Sequence, residues 1–302
     1  MWQKYFQNIK NIEIRSNESI KEYTTMRVGG IVKILIISYS LSSLLQVCKT
    51  CNKHNIMYKI IGLGANVIFS DSVYNGVVII NRSNSILVEN NSIIADSGTS
   101  VGSIISLAKS HNLSGLEDLS GIPSTLGGAM INNLGAHTTE IGDLVEYVEC
   151  YDTSMKKLVF LQDQCGFGYR TSIFQSKEYI ITRVKLNLYR QDNAIIDRNI
   201  CNALIRKHST QPLDQPSAGS IFKRIDSVIP AKIIDELGLK GTSIGGAMIS
   251  TKHAGFIVNF NNATAADIRR LIDQTIDYVY KMKNIRLTLE IEFVEFEKNL
   301  IG

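Results

Sequence analysis

The sequence predicts an α+β fold with a mixed N-terminal region followed by a compact C-terminal α+β unit. Short β-branched segments are interspersed with amphipathic ones over the first 190 residues, whereas longer helical patterns dominate afterwards. With 302 residues, the chain is long enough for about two domains or three small ones. We therefore place one boundary near residue 190 and a smaller one near residue 70, giving divisions 1–70, 71–190 and 191–302.

Composition and charge exclude several classes of protein. The chain is 44% apolar and contains only 4 prolines, which excludes disordered and collagen-like classes. The net charge is +4 without a block of like charges, so we expect no nucleic-acid partner. No apolar run reaches the roughly 18 residues that span a bilayer, and the N-terminal segment has no signal-like apolar core. We expect a soluble cytoplasmic protein without membrane insertion, as a monomer or weak oligomer.

The elements of the N-terminal region follow from periodicity and turn residues. Continuous or alternating β-branched runs predict the strands, and an apolar spacing of three and four residues predicts the helices. The predicted strands cover residues 31–38, 57–61, 76–80, 85–89, 92–96, 144–151, 156–160 and 178–188. The predicted helices cover residues 41–54 and 100–111.

The C-terminal region is predicted to contain three helices, two full strands and, within residues 211–224, a loop that leads into the start of a further strand. A helical pattern covers 192–210, and a second covers 229–241, with Pro230 in its first turn and Gly238 near its end. A strand over 255–260, a long helix over 264–283 and a final alternating strand over 285–293 complete the region.

Five cysteines include one closely spaced pair, Cys48 and Cys51, with His54 nearby. The pair lies on a predicted amphipathic helix, and no second ligand pair is present to complete a zinc site. An odd number of isolated cysteines also argues against a disulfide framework. We interpret the pair as structural and predict no metal site.

Two glycine-rich segments are candidate ligand-binding loops. Gly62, Gly64 and Asn66 follow a predicted strand, where successive backbone N–H groups can form an anion-binding nest. Residues 119–129 combine a proline turn, Ser and Thr helix caps and a Gly-Gly pair, so that a pyrophosphate could lie at a helix start. A surface turn and a capped core helix are the alternative interpretations. The spacing is not that of a Rossmann fingerprint.

Six motifs in one order resemble the UDP-N-acetylenolpyruvoylglucosamine reductase family. They are residues 24–30 (TTMRVGG), 62–66 (GLGAN), 120–129 (SGIPSTLGGA), 168–172 (GYRTS), 216–223 (PSAGSIFK) and 253–259 (HAGFIVN). The resemblance implies a two-part FAD-binding region of the vanillyl-alcohol-oxidase type and a C-terminal substrate domain. It also implies the shorter form of the family, without an additional tyrosine-bearing loop.

The resemblance implies a reaction in which NADPH reduces FAD, and the flavin then reduces the enolpyruvyl group of UDP-N-acetylglucosamine enolpyruvate. The product would be UDP-N-acetylmuramate, a peptidoglycan precursor. The residues expected to bind FAD are Gly62, Gly64, Ala65, Asn66, Gly121, Thr125, Gly127, Gly128 and Ala129.

Three residues match the catalytic positions of the family. Arg170 would grip the substrate carboxylate, whereas sequence alone favours a surface ion pair. Ser220 would donate a proton, and its alternative is a turn-capping role. Glu292 is the second glutamate of the L-E-x-E pattern, and periodicity places it on a solvated face together with Glu290, so either could be the catalytic one.

Five further residues are candidate substrate contacts. Tyr169 would pack against the substrate and Lys223 would bind its diphosphate, while Lys207 and His253 are weaker candidates. The family's usual Asn-Pro after Phe-Lys is here Arg224-Ile225, and Arg224 could pair with the diphosphate. The usual Asn-Ala-Gly-Ala-Tyr-Gly is replaced by residues 132–137 (NNLGAH), which leaves the aromatic contact open.

Two other functions are compatible with parts of the sequence. An oxidase of sugar lactones or alcohols could share the sequence features of the first 190 residues but would not need the PSAGSIFK motif. A nucleotide-sugar binding protein that has lost catalysis would not need Arg170, Ser220 and Glu292 together.

Overall fold

The computed structural model describes residues 2–176, 178–225 and 228–295, and the chain divides into two compact units. The first unit comprises Met1–Arg15, Ile34–Gly62 and Gly76–Arg206, and the second comprises Ser16–Lys33, Leu63–Asn75 and Lys207–Gly302. These bounds differ from the predicted divisions near residues 70 and 190, and the division into two flavin-binding subdomains stays a prediction. Residues 296–302, the end of the predicted C-terminal domain, lie outside the described residues.

The described part of the chain contains six α-helices and nineteen strands. The helices are α1 (Leu41–Lys53), α2 (Val101–Ser110), α3 (Leu126–Ile131), α4 (Asn193–Thr210), α5 (Pro230–Glu236) and α6 (Ala265–Lys283). The strands are β1 (Ile12–Ser19), β2 (Ile31–Ser38), β3 (Tyr58–Ile61), β4 (Val67–Phe69), β5 (Tyr74–Asn81), β6 (Ile86–Glu89), β7 (Ser92–Asp96), β8 (Leu113–Ser114), β9 (Gly135–Ala136), β10 (Thr139–Glu140), β11 (Val145–Asp152), β12 (Lys157–Leu161), β13 (Tyr179–Asn187), β14 (Tyr189–Arg190), β15 (Ser217–Ser220), β16 (Ser243–Ile244), β17 (Ala247–Ile249), β18 (Phe256–Asn259) and β19 (Glu292–Val294).

The first sheet has the order β1-β2-β5-β3 and packs against α1. The side chain of Ser40 caps α1 by accepting a hydrogen bond from the N–H of Ser43 at 3.1 Å. Cys48 and Cys51 are fully buried on the helix face that meets the sheet, and burial raises the pKa of Cys51 to about 12. Among the described residues, no group of three or more His, Cys, Asp or Glu could hold a metal ion. The cysteine pair thus contributes to packing.

The second sheet has the order β12-β11-β13-β7-β6 and is antiparallel throughout. Helices α2 and α3 pack into the same core, through buried residues such as Ile104, Leu126 and Met130. Helix α2 follows β7 after a short turn, so the end of this strand and the start of α2 lie close to the start of α3. The second predicted glycine-rich segment, residues 119–129, leads into α3 at this point.

The second unit contains the antiparallel sheet β15-β18-β17-β16 and the long helix α6. Thr264 and Asp267 form a capping box at the start of α6, in which each side chain accepts a hydrogen bond from the other residue's N–H at 3.0 Å. Buried residues at helical spacing, including Ile268, Leu271 and Ile272, form its core face. In a separate two-stranded sheet, β19 pairs with β4 in parallel.

The predicted final strand over 285–293 is wrong in extent, because the regular strand covers only Glu292–Val294. Before a bend, the chain instead runs beside residues 221–223, where Lys223 N–H donates to Thr288 O and Glu290 N–H donates to Ile221 O, both at 2.8 Å. Alternating hydrophobicity cannot show this change of partner, because the alternation in the sequence continues from residue 285 through the bend to residue 293. No helix in the described ranges is both long and apolar enough to cross a membrane.

Candidate active site

The turn over residues 63–66 in the second unit has unpaired backbone donors. The N–H groups of Leu63, Gly64, Ala65 and Asn66 donate no hydrogen bond to any described residue. Their carbonyls are used, since Gly64 O accepts from Thr25 N–H at 3.2 Å. Successive unpaired N–H groups in a turn form a concavity that suits an anion. This geometry fits the pyrophosphate of a dinucleotide.

In the first unit, the two predicted glycine-rich segments meet. A Cβ on Gly62 would lie 2.6 Å from Cγ2 of Thr125, so only glycine allows this approach. Thr125 caps α3 by accepting a hydrogen bond from Gly128 N–H at 3.4 Å. The N–H groups of Leu126 and Gly127 donate to Thr99 O and Ser97 O, both at 2.8 Å. The N–H groups of Leu126 and Gly127 are therefore engaged within the protein, and contact of this segment with FAD stays a prediction.

A second feature of the first unit fits a bound cofactor. Thr99 is 1% exposed, and its hydroxyl has no hydrogen-bond partner in the described chain. Together with Ser100, Arg82 and Tyr39 it lines a cavity of about 510 Å³. A buried hydroxyl without a partner is costly unless a ligand or water satisfies it. The Thr99 hydroxyl is therefore a candidate donor to a ligand bound within the first unit.

Arg170 lies in a two-residue turn between Gly168 and Thr171. These two residues exchange backbone hydrogen bonds of 3.2 and 3.1 Å, and Arg170 has a φ of +53°. Tyr169 precedes it without a positive φ and is 45% exposed. The guanidinium carbon of Arg170 lies 5.3 Å from the centre of the Tyr169 ring. The turn thus presents an aromatic ring and a cation side by side.

The guanidinium of Arg170 is anchored to the loop between α3 and β10. Its Nη2 donates to Gly135 O at 2.9 Å, and its Nη1 donates to Asn133 O at 3.5 Å. Gln175 holds the backbone of the turn, since its amide donates to Arg170 O at 3.0 Å. Ser172, two residues after Arg170, ties the same segment to the end of α3, since its hydroxyl donates to Ile131 O at 2.8 Å. These contacts tie the guanidinium and its turn to neighbouring loop segments, and the role of Arg170 toward a substrate stays a prediction.

Ser220 ends strand β15 directly after a β-bulge. Ser217 pairs with Val258 and Ser220 pairs with Phe256, so β15 has one residue more than β18 over this stretch. The additional residue is accommodated by Gly219, which has a φ of +77°. Because a bulge shifts which face the following side chain occupies, Gly219 determines the direction of Ser220. Ser220 is partly exposed.

Glu290 lies in the bend that precedes β19, and Glu292 is the first residue of β19. Asn66 joins both segments, since its side-chain amide donates to Glu290 O at 3.0 Å and its carbonyl accepts from Glu292 N–H at 2.9 Å. The bend lies at residues 290 and 291, so the two glutamates do not belong to one regular strand as the alternation suggested. Both are partly exposed. Glu292 belongs to the segment that pairs with β4.

Several sequence motifs hold one another in the second unit. Thr25 donates through its hydroxyl to Ser217 O at 2.7 Å. The side-chain amide of Asn259 donates to Met26 O at 3.1 Å and Arg27 O at 3.3 Å. Through these contacts the 24–30 segment meets the segments that carry Ser220 and the HAGFIVN motif. Part of the motif pattern therefore reflects structural support for the candidate site residues.

The substitution of Asn-Pro by Arg224-Ile225 has a structural consequence. Ile225 N–H donates to Val228 O at 3.2 Å, and Val228 N–H donates back at 2.8 Å. A proline at position 225 has no N–H and could not form the first of these bonds. Lys223 is partly exposed and Arg224 is exposed. A proline at position 225 would therefore remove one of the two backbone hydrogen bonds that follow the adjacent cations Lys223 and Arg224 in the chain.

The remaining two substrate candidates differ in environment. Lys207, on α4, is 8% exposed. His253 accepts a hydrogen bond from Gly255 N–H through Nδ1 at 3.1 Å, and burial lowers the pKa of its imidazole. A neutral His253 therefore has its proton on Nε2 and can donate from that atom.

Sequence reasoning did not single out Asn133, Gln175 or Thr99 as functional candidates. Asn133 lies in the segment that differs from the family pattern, and its neighbour Gly135 carries one of the carbonyls that bind Arg170. Polar residues that act through hydrogen bonds to distant parts of the chain follow no periodic pattern in the sequence, so periodicity cannot reveal them. An asparagine in a turn-forming sequence is the one available signal, and it is weak.

Comparison with known proteins identifies both regions of the chain. Residues 33–155 match the model of an FAD binding domain. Residues 211–294 match the model of the UDP-N-acetylenolpyruvoylglucosamine reductase C-terminal domain. The predicted fold class, an α+β chain with an FAD-binding region of this type and a C-terminal domain, is confirmed.

The similarity to individual proteins extends over nearly the whole chain. A UDP-N-acetylenolpyruvoylglucosamine reductase of Caldanaerobacter subterraneus subsp. tengcongensis is 37% identical over 95% of both chains. The enzyme of that name from Clostridium kluyveri is 38% identical over 93% of both. The crystal structure of UDP-N-acetylenolpyruvylglucosamine reductase from Thermus caldophilus aligns with a TM-score of 0.80, at 31% identity, covering 93% of this chain and 98% of that one. Together with the motifs that tie the candidate residues into place, this similarity shows that the chain belongs to the UDP-N-acetylenolpyruvoylglucosamine reductase family.

Proposed function

We propose that the protein is an FAD-dependent reductase that uses NADPH to convert UDP-N-acetylglucosamine enolpyruvate to UDP-N-acetylmuramate in peptidoglycan precursor synthesis. The observation that carries this proposal is near-complete coverage at 37% identity by a reductase of that name. The motif residues that the reaction requires are all present in the chain. An oxidase of sugar lactones or alcohols would not require the C-terminal region that matches here.

FAD would be held by backbone groups of the glycine-rich segments. The unpaired N–H groups of residues 63–66 supply an anion-binding turn in the second unit. The Thr99 hydroxyl would be an additional donor. The candidate contacts in the first unit are Gly62, Gly121, Thr125, Gly127, Gly128 and Ala129. When bound, the flavin accepts hydride from NADPH and passes it to the enolpyruvyl carbon. The protein supplies binding, orientation and charge.

Arg170 is proposed to bind the enolpyruvyl carboxylate. Hydride addition at the terminal carbon increases negative charge on this group, so a cation there stabilises the transition state more than the substrate. Arginine offers paired donors that fit a carboxylate and stays charged at any relevant pH. Its anchoring by the Gly135 carbonyl at 2.9 Å restricts the guanidinium before substrate binds. The adjacent Tyr169 ring offers a surface for the sugar.

Ser220 and Glu292 are proposed to complete the reduction. The carbon that bears developing negative charge needs one proton, and the Ser220 hydroxyl is a suitable donor if its position is fixed. The bulge at Gly219 fixes that position by setting the strand face. Glu292, the second glutamate of the pattern, is proposed to assist this step, and Glu290 serves as the comparison residue in mutagenesis.

Charged residues of the second unit are proposed to bind the diphosphate. Lys223 and Arg224 are adjacent cations, and Lys207 is a further candidate. His253 would contribute a neutral N–H donor, because burial lowers its pKa. The five cysteines are all free, which fits a reducing compartment. We propose a cytoplasmic location, where both nucleotide substrates are available, and a monomer or weak oligomer.

Steady-state assays of the purified protein test the proposal. We expect a yellow protein that oxidises NADPH over many turnovers only when UDP-N-acetylglucosamine enolpyruvate is present, with a product heavier than the substrate by two hydrogens. NADH in place of NADPH tests the nicotinamide preference. A flavin-free preparation that FAD does not reconstitute, or an anaerobic multiple-turnover rate of NADPH oxidation that does not depend on the enolpyruvyl substrate, would contradict the proposal.

A further inference from the structure

We propose that Asn133 is a positioning residue that holds Arg170 in place for the substrate carboxylate. The inference rests on the proposed function, since it assigns Asn133 a role in the half-reaction that consumes the enolpyruvyl substrate. It is carried by hydrogen bonds within the first unit alone. Asn133 is 1% exposed, so its amide is satisfied by protein groups rather than by water.

The side chain of Asn133 joins three segments of the first unit. Its amide nitrogen donates to Gly168 O at 3.0 Å and to Glu140 Oε2 at 2.7 Å. Its amide oxygen accepts from Gly142 N–H at 2.9 Å. Both amide protons and the amide oxygen are therefore engaged, each by a different partner. One buried amide links the turn that carries Arg170 to both ends of the 140–142 segment.

The backbone of the same residue reaches the guanidinium itself. Asn133 O accepts from Arg170 Nη1 at 3.5 Å, and Gly135 O accepts from Nη2 at 2.9 Å. Arg170 is thus held both at its guanidinium and at the backbone of its turn. The loop carbonyls fix its guanidinium, and the Asn133 amide fixes the turn through Gly168. A displacement of Asn133 moves both supports together, which distinguishes it from residues that touch only one of them.

An amide is the one side chain of this size that satisfies all three partners. Aspartate at position 133 would put a carboxylate against Glu140 and the Gly168 carbonyl, leaving two acceptors without a donor. Glycine would remove every side-chain hydrogen bond but could adopt the backbone conformation of this position, which has a φ of +43°. Asparagine is also among the few residues that adopt this left-handed conformation readily.

The positioning role predicts a selective kinetic defect. Binding of NADPH does not require a group aimed at the enolpyruvyl carboxylate, whereas reduction of the substrate does. A misplaced orienting group can slow a reaction by about 100-fold for a displacement of roughly 1 Å. We therefore expect Asn133→Asp and Asn133→Gly to slow reoxidation of the reduced flavin by the substrate by at least about tenfold, while NADPH reduction changes less than about twofold.

Asn112 offers a matched control in the same unit. It has a φ of +55°, close to that of Asn133, and is exposed to solvent. Asn112→Asp and Asn112→Gly therefore make the same chemical and backbone changes away from Arg170. Both control variants should keep wild-type rates in both half-reactions. Asn133→Gly keeps the test usable if Asn133→Asp does not fold, because it introduces no buried charge.

A double-mutant cycle distinguishes positioning from a general structural role. If Asn133 acts through Arg170, then Asn133→Gly should slow reoxidation little further in an Arg170→Ala background. Additive losses, or equal losses in both half-reactions of the single variant, would overturn the inference. Failure of the proposed function would instead show in the wild-type protein, as an inability of the enolpyruvyl substrate to reoxidise the flavin at all.

Discussion

Replacing Gly219 by alanine tests whether the bulge in β15 directs Ser220. Gly219 has a φ of +77°, and an added Cβ would meet no atom within 4 Å. The cost of the substitution is therefore backbone strain alone, about 1–2 kcal/mol for a left-handed residue with a side chain. For a chain of this size we expect the melting temperature to fall by about 2–4 °C.

The expected effect on activity is much larger than the effect on stability. If alanine straightens the bulge, the strand face of Ser220 changes, since one residue of slip inverts the alternation. A positioned proton donor contributes about 100- to 10,000-fold. We expect reoxidation of the flavin by the enolpyruvyl substrate to slow by at least about tenfold, measured by stopped-flow absorbance, while reduction by NADPH is retained.

Gly238 supplies a matched control in the same unit. It has a φ of +69°, and an added Cβ there also meets no atom within 4 Å. Gly238→Ala should therefore cost the same 1–2 kcal/mol, by the same strain, and leave both half-reactions unchanged. Equal activity losses in the two variants, or full activity of Gly219→Ala at its reduced stability, would refute the reasoning that links the bulge to Ser220.

Three further predictions concern packing, pH dependence and thiol chemistry. Gly62→Ala should lower flavin content and the melting temperature, because its Cβ would lie 2.6 Å from Thr125 Cγ2. Gly102→Ala, at an exposed position of α2, should instead stabilise the protein by about 0.5–1 kcal/mol; absorbance measures the flavin content and thermal melting the stability. Hydrogen bonds from the backbone lower the pKa of Asp267 to about 2. The ionised carboxylate therefore stabilises the folded state fully above about pH 4, and this contribution is lost as the pH falls toward 2. Urea unfolding should therefore show Asp267→Asn less stable than wild type at pH 7, with a difference that shrinks below about pH 4; a constant difference would contradict this. Only the Cys201 thiol is exposed, so a thiol reagent should label one cysteine rapidly in the native protein and all five after unfolding.

Most elements that position the site could be predicted from local patterns. Strand β2 and helices α1, α2 and α6 lie within about two residues of their predicted bounds, because each has an uninterrupted period or a Ser or Thr cap. The order of six motifs identified the family, and the comparisons confirm that identification. The expected flavin and catalytic residues were named from this resemblance and stay predictions.

The remaining features depend on contacts between distant segments. The bend before Glu292 follows from pairing with two different partners, which a period of two cannot reveal. The anchoring of Arg170 follows from Asn133, 37 residues earlier in the chain. The bulge at Gly219 is visible only when the register against β18 is known. Buried hydrogen bonds and register are tertiary properties, so single-sequence patterns carry little information about them.

Separate measurement of the two half-reactions in Ser220→Ala tests the central claim most directly. Anaerobic stopped-flow mixing with NADPH should reduce the flavin of wild type and variant at similar rates. Mixing the reduced proteins with UDP-N-acetylglucosamine enolpyruvate should restore the oxidised spectrum rapidly in wild type and at least about 100-fold more slowly in the variant. Rapid reoxidation of the variant, or no reoxidation of wild type by this substrate, would contradict the account.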